Sequence, residues 1–107
     1  MKHGPIALID EDMPVIAIAP RDPWYEKMLS QIEQTKARGG KVIAVATDGD
    51  ILLQEIADHM LWVPETPWLL NPVITIVPLQ LLAYYTGVLR GADVDQPRNL
   101  AKSVTVE

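Results

Sequence analysis

Residues 14–46, PVIAIAPRDPWYEKMLSQIEQTKARGGKVIAVA, decide the fold of this chain. They begin and end with short apolar runs, 14–19 and 41–46, that are rich in β-branched residues and do not alternate with polar positions. Strands covered on both faces of a parallel sheet have this pattern. Between the runs, Asp22-Pro23 predicts a helix start and Gly39-Gly40 a helix end. The stretch therefore predicts a right-handed strand–helix–strand crossover.

A second and shorter unit follows the crossover. Residues 51–57 predict a short helix and residues 60–63 (MLWV) a third strand. After a proline-punctuated loop, Asn71-Pro72 opens a long helix that runs to about Arg90, with Pro78 as a bend. The prediction is an α/β fold, a parallel-sheet three-layer domain. With three strands, at least one sheet edge lies open unless another strand pairs with it.

Residues 73–89 carry no charge, so they must be compared with the pattern of a membrane-spanning helix. Seventeen residues are just short of a typical bilayer span. The stretch contains Pro78 and Gln80 and has no flanking cluster of basic residues. A buried core helix is the preferred interpretation over a membrane span.

Composition excludes several classes of function. A length of 107 residues allows one domain, and a net charge of −5 argues against a nucleic-acid footprint. With no cysteine there is no disulfide framework or thiolate metal site, and a cytoplasmic location is the simplest expectation. The N-terminus does not have the pattern of a signal peptide. The acidic residues are dispersed without the spacing of a metal site, so we expect no metal and no cofactor.

The C-terminal residues 95–107, DQPRNLAKSVTVE, have no hydrophobic face of their own. One interpretation is a solvated terminus. The other gives a role to Lys102, which lies between small and apolar residues. A lysine that folds back into a pocket has a lowered pKa, and its free amine can attack a carbonyl.

The two ends of the chain together resemble one enzyme family. The tail, and the head KHGPIALID at residues 2–10, are similar to the glutamine–fructose-6-phosphate aminotransferases, the glucosamine-6-phosphate synthases. KHGP is shared by sugar-isomerase (SIS) domains in general, whereas the tail is specific to the synthase. The resemblance implies that residues 1–107 are the C-terminal portion of the second SIS domain of such an enzyme, with 92–107 as an extended tail. The family domain has a five-stranded parallel sheet, so this chain would lack the first strand and helix.

The resemblance also implies roles for four residues. His3 matches the histidine that opens the sugar ring, and in the family it serves the active site of the neighbouring subunit, which implies a homodimer. Lys102 matches the lysine that forms an imine with the open-chain sugar, and Leu100 and Ala101 would line the sugar pocket. The implied partners are fructose 6-phosphate and glucosamine 6-phosphate, in amino sugar biosynthesis, with no nucleic acid and no membrane.

The same comparison shows what this chain lacks. In the family, the glutamate that moves the carbon-bound proton precedes KHGP, and the phosphate-binding loop and the glutaminase domain lie further upstream. We therefore expect the isolated chain to be inactive, although the resemblance implies that it is part of an aminotransferase. The alternatives are a non-catalytic sugar-phosphate-binding module and an inactive structural fragment.

Overall fold

The computed structural model describes residues 4–96, which form a three-stranded parallel sheet with flanking helices. The strands are β1 (Val15–Ala19), β2 (Val42–Thr47) and β3 (His59–Val63). The helices are α1 (Tyr25–Ala37), α2 (Ile51–Ile56) and α3 (Asn71–Leu89), and 3₁₀ turns occupy Pro5–Leu8 and Trp68–Leu70. The predicted α/β fold class is confirmed.

The sheet has the order β1-β2-β3, with both pairs parallel. Ala17 lies beside Ala44 on the central strand, and Ala44 beside Met60. Each connection contains a helix, as a parallel crossover requires. The predicted strands and helices are all present, with ends that differ by one or two residues.

Helix α1 begins later than predicted. The Asp22 side chain accepts a hydrogen bond from the backbone N–H of Trp24, at 2.8 Å, and the Asp22 carbonyl accepts one from Tyr25. An aspartate that bonds the amide two residues on forms a local turn. Asp22 and Pro23 therefore make a turn that leads into the helix, which starts at Tyr25.

The main core lies between one face of the sheet and the helices α1 and α2. Small strand residues let the helices approach closely, and Ile32 and Leu53 fill the space between the layers. Leu53 is completely buried. The core cluster consists of Ala17, Ala19, Ile32, Val42, Ala46 and Leu53.

The second face of the sheet is only partly covered. Ile16 and Ile18 point to this face, because successive strand residues alternate, and they are 46% and 42% exposed. The beginning of α3 reaches this face, where Thr75 lies in the same cleft as Ile18. Helices therefore occur on both sides of the sheet, which gives the predicted three layers.

Helix α3 is not the buried core helix that its composition predicted. Among its residues only Asn71 and Thr75 are buried. Together with the preceding turn, residues 68–89 form a helix that is long and apolar enough to cross a membrane by length and composition alone, and 6% of its most apolar window is buried. The prediction was wrong for this chain because the described residues supply too little surface to cover the helix.

The two outer strands have no pairing partner on their outer side within residues 4–96. Unpaired edges expose backbone N–H and C=O groups that another strand can bind. The expectation of an open sheet edge is thus met at both β1 and β3.

The N-terminal segment is anchored at the opposite end of the sheet from the strands' carboxyl ends. After the 3₁₀ turn, Ile9 is buried against Gly40, which lies two residues before the start of β2. A Cβ on Gly40 would lie 2.6 Å from Ile9 Cγ2 and 2.9 Å from Thr35 Cγ2. A larger residue at position 40 would therefore force Ile9 or the end of α1 to shift.

Candidate functional site

The four residues that the sequence singled out, His3, Leu100, Ala101 and Lys102, lie outside the described residues. Their predicted roles stay predictions. The described chain begins beside His3 at Gly4, whose carbonyl accepts a hydrogen bond of 3.0 Å from the N–H of Ala7. This bond and the burial of Ile9 fix the segment that directly follows His3.

The carboxyl ends of the three strands meet at one edge, where parallel α/β sheets bind their ligands. Hydrogen bonds tie the loops together there. The backbone N–H of Arg21, after β1, donates to Thr47 Oγ1 on β2 at 2.9 Å. The N–H of Asp48 donates to the Val63 carbonyl on β3 at 2.8 Å. These bonds make the carboxyl edge a rigid platform.

Helix α3 is joined to the same platform through Asn71. The Asn71 side-chain N–H donates to the Arg21 carbonyl at 3.4 Å, and its oxygen accepts a bond of 3.2 Å from the Thr66 hydroxyl. The sequence predicted Asn71 as a helix cap, but no side-chain cap bond is present at the start of α3. Its amide instead connects the loop after β1 to the loop after β3.

A first cleft, the Asp50 cleft, opens between the carboxyl ends of β1 and β2. It has a volume of about 470 Å³ and is lined by Arg21, Asp22, Pro23, Tyr25, Glu26 and Asp50. Asp50 caps α2 by accepting a bond of 3.1 Å from the Leu53 N–H to Oδ1. Burial, and next a hydrogen bond with the Asp50 carboxylate, raise the pKa of the Tyr25 hydroxyl, while the Arg21 charge lowers it.

A second cleft, the tryptophan cleft, lies on the other side of β1. It has a volume of about 480 Å³, and its walls include Ile18 and Thr75. Trp24 and Trp68 meet there edge to face, with ring centroids 5.6 Å apart. This pair, which was not predicted from the sequence, joins the start of α1 to the turn before α3.

The amino edge of the sheet is held by Asp58. Its carboxylate accepts a bond of 2.7 Å from the Val42 N–H and forms an ion pair of 2.8 Å with Lys36. The hydrogen bond from Lys36, and next that from Val42, lower the pKa of Asp58. Because this side chain joins α1, β2 and β3 away from the clefts, its role is structural.

The polar groups of the carboxyl edge were not predicted from the sequence. The sequence patterns assigned no role to Asp50 or to Arg21. The available signal was positional, because Arg21 follows the predicted strand 14–19 by two residues and Asp50 follows the predicted strand 41–46 by four. Sequence alone cannot show that the Asp50 carboxylate is buried, since burial depends on how α1 packs beside it.

Comparison with known proteins gives the family. The SIS domain model matches residues 1–90. The chain is 62% identical over 107 residues to the glutamine–fructose-6-phosphate aminotransferase (isomerizing) of Thermus thermophilus, and 63% identical over 107 residues to that of Bacteroides thetaiotaomicron. All of this chain is covered in both cases, but only 18% and 17% of those proteins.

A solved structure agrees in fold. The C-terminal domain of glucosamine-fructose-6-phosphate aminotransferase from Francisella tularensis superimposes with a TM-score of 0.77 at 36% identity, over 89% of this chain and 27% of that one. The resemblance to aminotransferases stated from the sequence is confirmed, and the chain spans less than a fifth of the length of the curated relatives. This chain belongs to the SIS domain family.

Proposed function

We propose that this chain is part of the isomerase half of a glutamine–fructose-6-phosphate aminotransferase, which converts fructose 6-phosphate and glutamine-derived ammonia to glucosamine 6-phosphate. One observation carries the proposal. The SIS model ends at residue 90, but the aminotransferase relatives align over all 107 residues, including the tail. A generic SIS domain gives no reason for the tail to match, whereas an aminotransferase does.

The chemistry of the reaction requires the residue types found at the two ends of the chain. Ring opening needs a group that exchanges protons near neutral pH, and His3 is the candidate. Imine formation with the open-chain carbonyl needs an amine, and Lys102 is the candidate. Leu100 and Ala101 would line the sugar pocket beside it. The carboxylate that moves a proton between carbons one and two, and the groups that hold the phosphate, would come from the rest of the polypeptide.

The proposed extent of the domain follows from the incomplete fold. Both sheet edges are unpaired within residues 4–96, and Ile16, Ile18 and most of α3 are exposed. We propose that residues 1–107 are the C-terminal portion of one SIS domain, with 92–107 as its tail. A preceding strand and helix would cover these surfaces, since an apolar area of this kind is stable in water only when another segment packs on it.

The assembly proposed for the whole protein is a cytoplasmic homodimer that acts in amino sugar biosynthesis. If His3 serves the site of the neighbouring subunit, the His3 of one subunit cannot open the ring of the sugar that reacts with Lys102 of that same subunit. Mixing His3→Ala subunits with Lys102→Ala subunits should then restore part of the activity, because a mixed dimer contains one intact site. Activity that stays at the level of the separate variants would contradict the shared site.

Covalent trapping tests the role of Lys102 directly. Borohydride reduction of the full-length protein with fructose 6-phosphate should attach the sugar to Lys102, as seen by peptide mass spectrometry. Lys102→Ala should abolish the adduct, and the control Lys27→Ala, which removes an exposed lysine of α1, should retain it. Full trapping in the Lys102→Ala protein would refute the assignment.

A non-catalytic sugar-phosphate module is the second candidate, and the partial coverage of the relatives is the observation that favours it. The two proposals differ for the isolated chain. We expect no turnover and no tight hexose-phosphate binding by calorimetry, because most phosphate contacts would lie elsewhere. Clear binding without turnover would favour the module, and robust aminotransferase activity of the chain alone would contradict the proposed division of the site.

A further inference from the structure

The tryptophan cleft exposes two large aromatic side chains that residues 4–96 do not cover. Trp24 is 54% exposed and Trp68 is 46% exposed, and both line the cleft. A single exposed apolar residue is ordinary, but two tryptophans in contact form a continuous exposed aromatic surface. The cleft volume of about 480 Å³ lies in the usual range for a small-molecule site, roughly 300–1,000 Å³.

The two indole rings form two walls of a corner. Their planes meet at 74°, and their centroids are 5.6 Å apart. A cation is attracted to the face of an aromatic ring when it lies within about 6 Å of the ring centroid. Because the rings are nearly perpendicular, one small cation in the corner can approach both faces within that distance. Aromatic sites for quaternary ammonium groups work in this way.

Backbone hydrogen bonds hold both tryptophans in place. The Trp24 N–H donates to Asp22 Oδ1 at 2.8 Å, and the Trp24 carbonyl accepts a bond of 3.1 Å from the Met28 N–H. Trp68 begins a 3₁₀ turn, and its carbonyl accepts a bond from the Asn71 N–H. Because these positions are fixed before a ligand arrives, the entropy cost of forming the site is low.

The charge of the tryptophan cleft also favours a cation. Among the described residues that line it, Asp22 carries the one formal charge, and no basic side chain opposes it. The hydrogen bond from Trp24 uses Asp22 Oδ1. A positive group in the corner would therefore gain from the two ring faces and from the nearby carboxylate.

The buried polar side chains of the cleft already have hydrogen-bond partners within the protein. The Asn71 side chain bonds to Arg21 and Thr66, and the Thr75 hydroxyl donates to the Asn71 carbonyl at 2.7 Å. A primary ammonium group has three N–H donors that need acceptors, whereas a quaternary ammonium group has none. The cleft therefore suits a cation covered by methyl groups better than one that must form several hydrogen bonds.

We propose that the tryptophan cleft binds a small organic molecule through a quaternary ammonium group, which lies in the corner between Trp24 and Trp68 with Asp22 as its counter-charge. The site is built entirely from described residues. It uses neither His3 nor Lys102, the residues of the proposed sugar chemistry, and therefore does not rest on the aminotransferase proposal.

Choline and its neutral isostere 3,3-dimethyl-1-butanol are suitable probes, because they share a shape and differ in the charged atom. Saturation-transfer NMR of the full-length protein should show saturable binding of choline at millimolar concentration. The isostere should bind at least about fivefold more weakly, the effect of losing a cation–π contact. Equal binding of the two, or no saturable choline binding because another segment fills the cleft, would overturn the proposal.

Two further ligands define the cation. Ethanolamine has a primary ammonium group and should bind more weakly than choline, and equal or tighter binding would overturn the choice of a quaternary group. Phosphocholine should also bind more weakly, because its phosphate would approach the Asp22 carboxylate. Tighter binding of phosphocholine would indicate a lipid headgroup and overturn the proposed ligand.

Matched variants locate the binding. Trp68→Leu removes a ring face and should weaken choline binding about fivefold to tenfold, while Trp68→Phe keeps a smaller face and should weaken it less. Asp22→Asn keeps the local turn, since asparagine also forms one, and should weaken binding by removing the charge. Trp62→Leu removes a tryptophan that is 40% exposed in a different groove and should change nothing. An equal effect of Trp62→Leu and Trp68→Leu would refute a specific site.

Lys102→Ala separates this proposal from the aminotransferase proposal. Choline binding that is unchanged in Lys102→Ala but weakened in Trp68→Leu supports the tryptophan cleft whatever the outcome of borohydride trapping. Binding that is lost in Lys102→Ala and unchanged in Trp68→Leu would assign the cation to the tail and overturn the present proposal.

Discussion

Gly40→Ala is the sharpest test of how the N-terminal segment is held. Gly40 does not have a positive φ, so an alanine is not excluded by backbone conformation. The obstacle is space. The added Cβ would lie 2.6 Å from Ile9 Cγ2, 2.9 Å from Thr35 Cγ2 and 3.1 Å from the Thr35 carbonyl oxygen. The last neighbour is backbone and cannot move without disturbing the end of α1.

The expected magnitude follows from two opposing effects. Overpacking a well-packed site costs ~1–3 kcal/mol. Replacing a glycine restricts the unfolded chain and returns ~0.4–1 kcal/mol. The two effects together leave a loss of roughly 0–2.6 kcal/mol. Because two of the contacts would be shorter than 3.0 Å and a third is with backbone, we expect the upper part of this range, a fall of about 2 kcal/mol in the free energy of unfolding.

Urea unfolding followed by far-UV circular dichroism measures this change. The control is Gly87→Ala on α3, where the Cβ would meet only the partly exposed Val94, at 3.1 Å, and where alanine is the better helix former. We expect this variant to be neutral or slightly stabilising. Gly40→Ala that is as stable as the parent, or more stable, would refute the close packing described here.

A double-mutant cycle tests whether Ile9 is the side chain that packs against position 40. Ile9→Ala removes the Cγ2 atom that collides with the new methyl group, so the double variant should lose less stability than the two single variants lose together. Strict additivity would show that Ile9 does not pack on Gly40. Because Ile9 anchors the segment that follows His3, we also expect Gly40→Ala to slow the sugar reaction of the full-length protein.

Three further predictions follow from the same contacts. Leu53→Ala, at a completely buried position, should lower the free energy of unfolding by about 2–4 kcal/mol in urea unfolding, and a loss below 1 kcal/mol would contradict its place in the core. The folded-state pKa of Asp58 is lowered, so its stabilisation is present above the unfolded pKa of about 4 and is lost as the pH falls through the folded pKa. Asp58→Asn should therefore lose less stability on acidification than the parent, by a modest amount because the ion pair with Lys36 is about one-third exposed. If a preceding segment covers α3, amide hydrogen exchange of α3 should be slower in the full-length protein than in this chain. This chain should also not float with phospholipid vesicles. Flotation would instead support a membrane-bound helix.

Local sequence was sufficient for the elements of the sheet. The runs at 14–19 and 41–46 predict two strands, and both are present. The predicted coverage on both faces holds for β2, the central strand, but not for β1, where Ile16 and Ile18 are exposed. Gly39 ends α1 with a φ of 78°, the left-handed conformation that glycine adopts most easily. These features were predictable because they depend on side chains within a few residues of each other.

Predictions that depended on the environment of a helix were less successful. An uncharged stretch suggests burial, but α3 is largely exposed because the surface that would cover it is not among residues 4–96. Asn71-Pro72 has the pattern of a helix cap, yet Asn71 bonds to Arg21, fifty residues away in the chain. A pattern of neighbouring residues cannot predict this long-range hydrogen bond.

The sequence alone determined the family and the residue types at both ends. The head motif and the tail motif are each an unbroken stretch of sequence, and both resemble one kind of enzyme. The tertiary structure decided the carboxyl edge. It placed Asp50 beside Tyr25 and Arg21 and buried its carboxylate. That arrangement comes from two parallel strands that end side by side and from the helix packed next to them. Whether a carboxylate is solvated or buried depends on such neighbours, which no local stretch of sequence specifies.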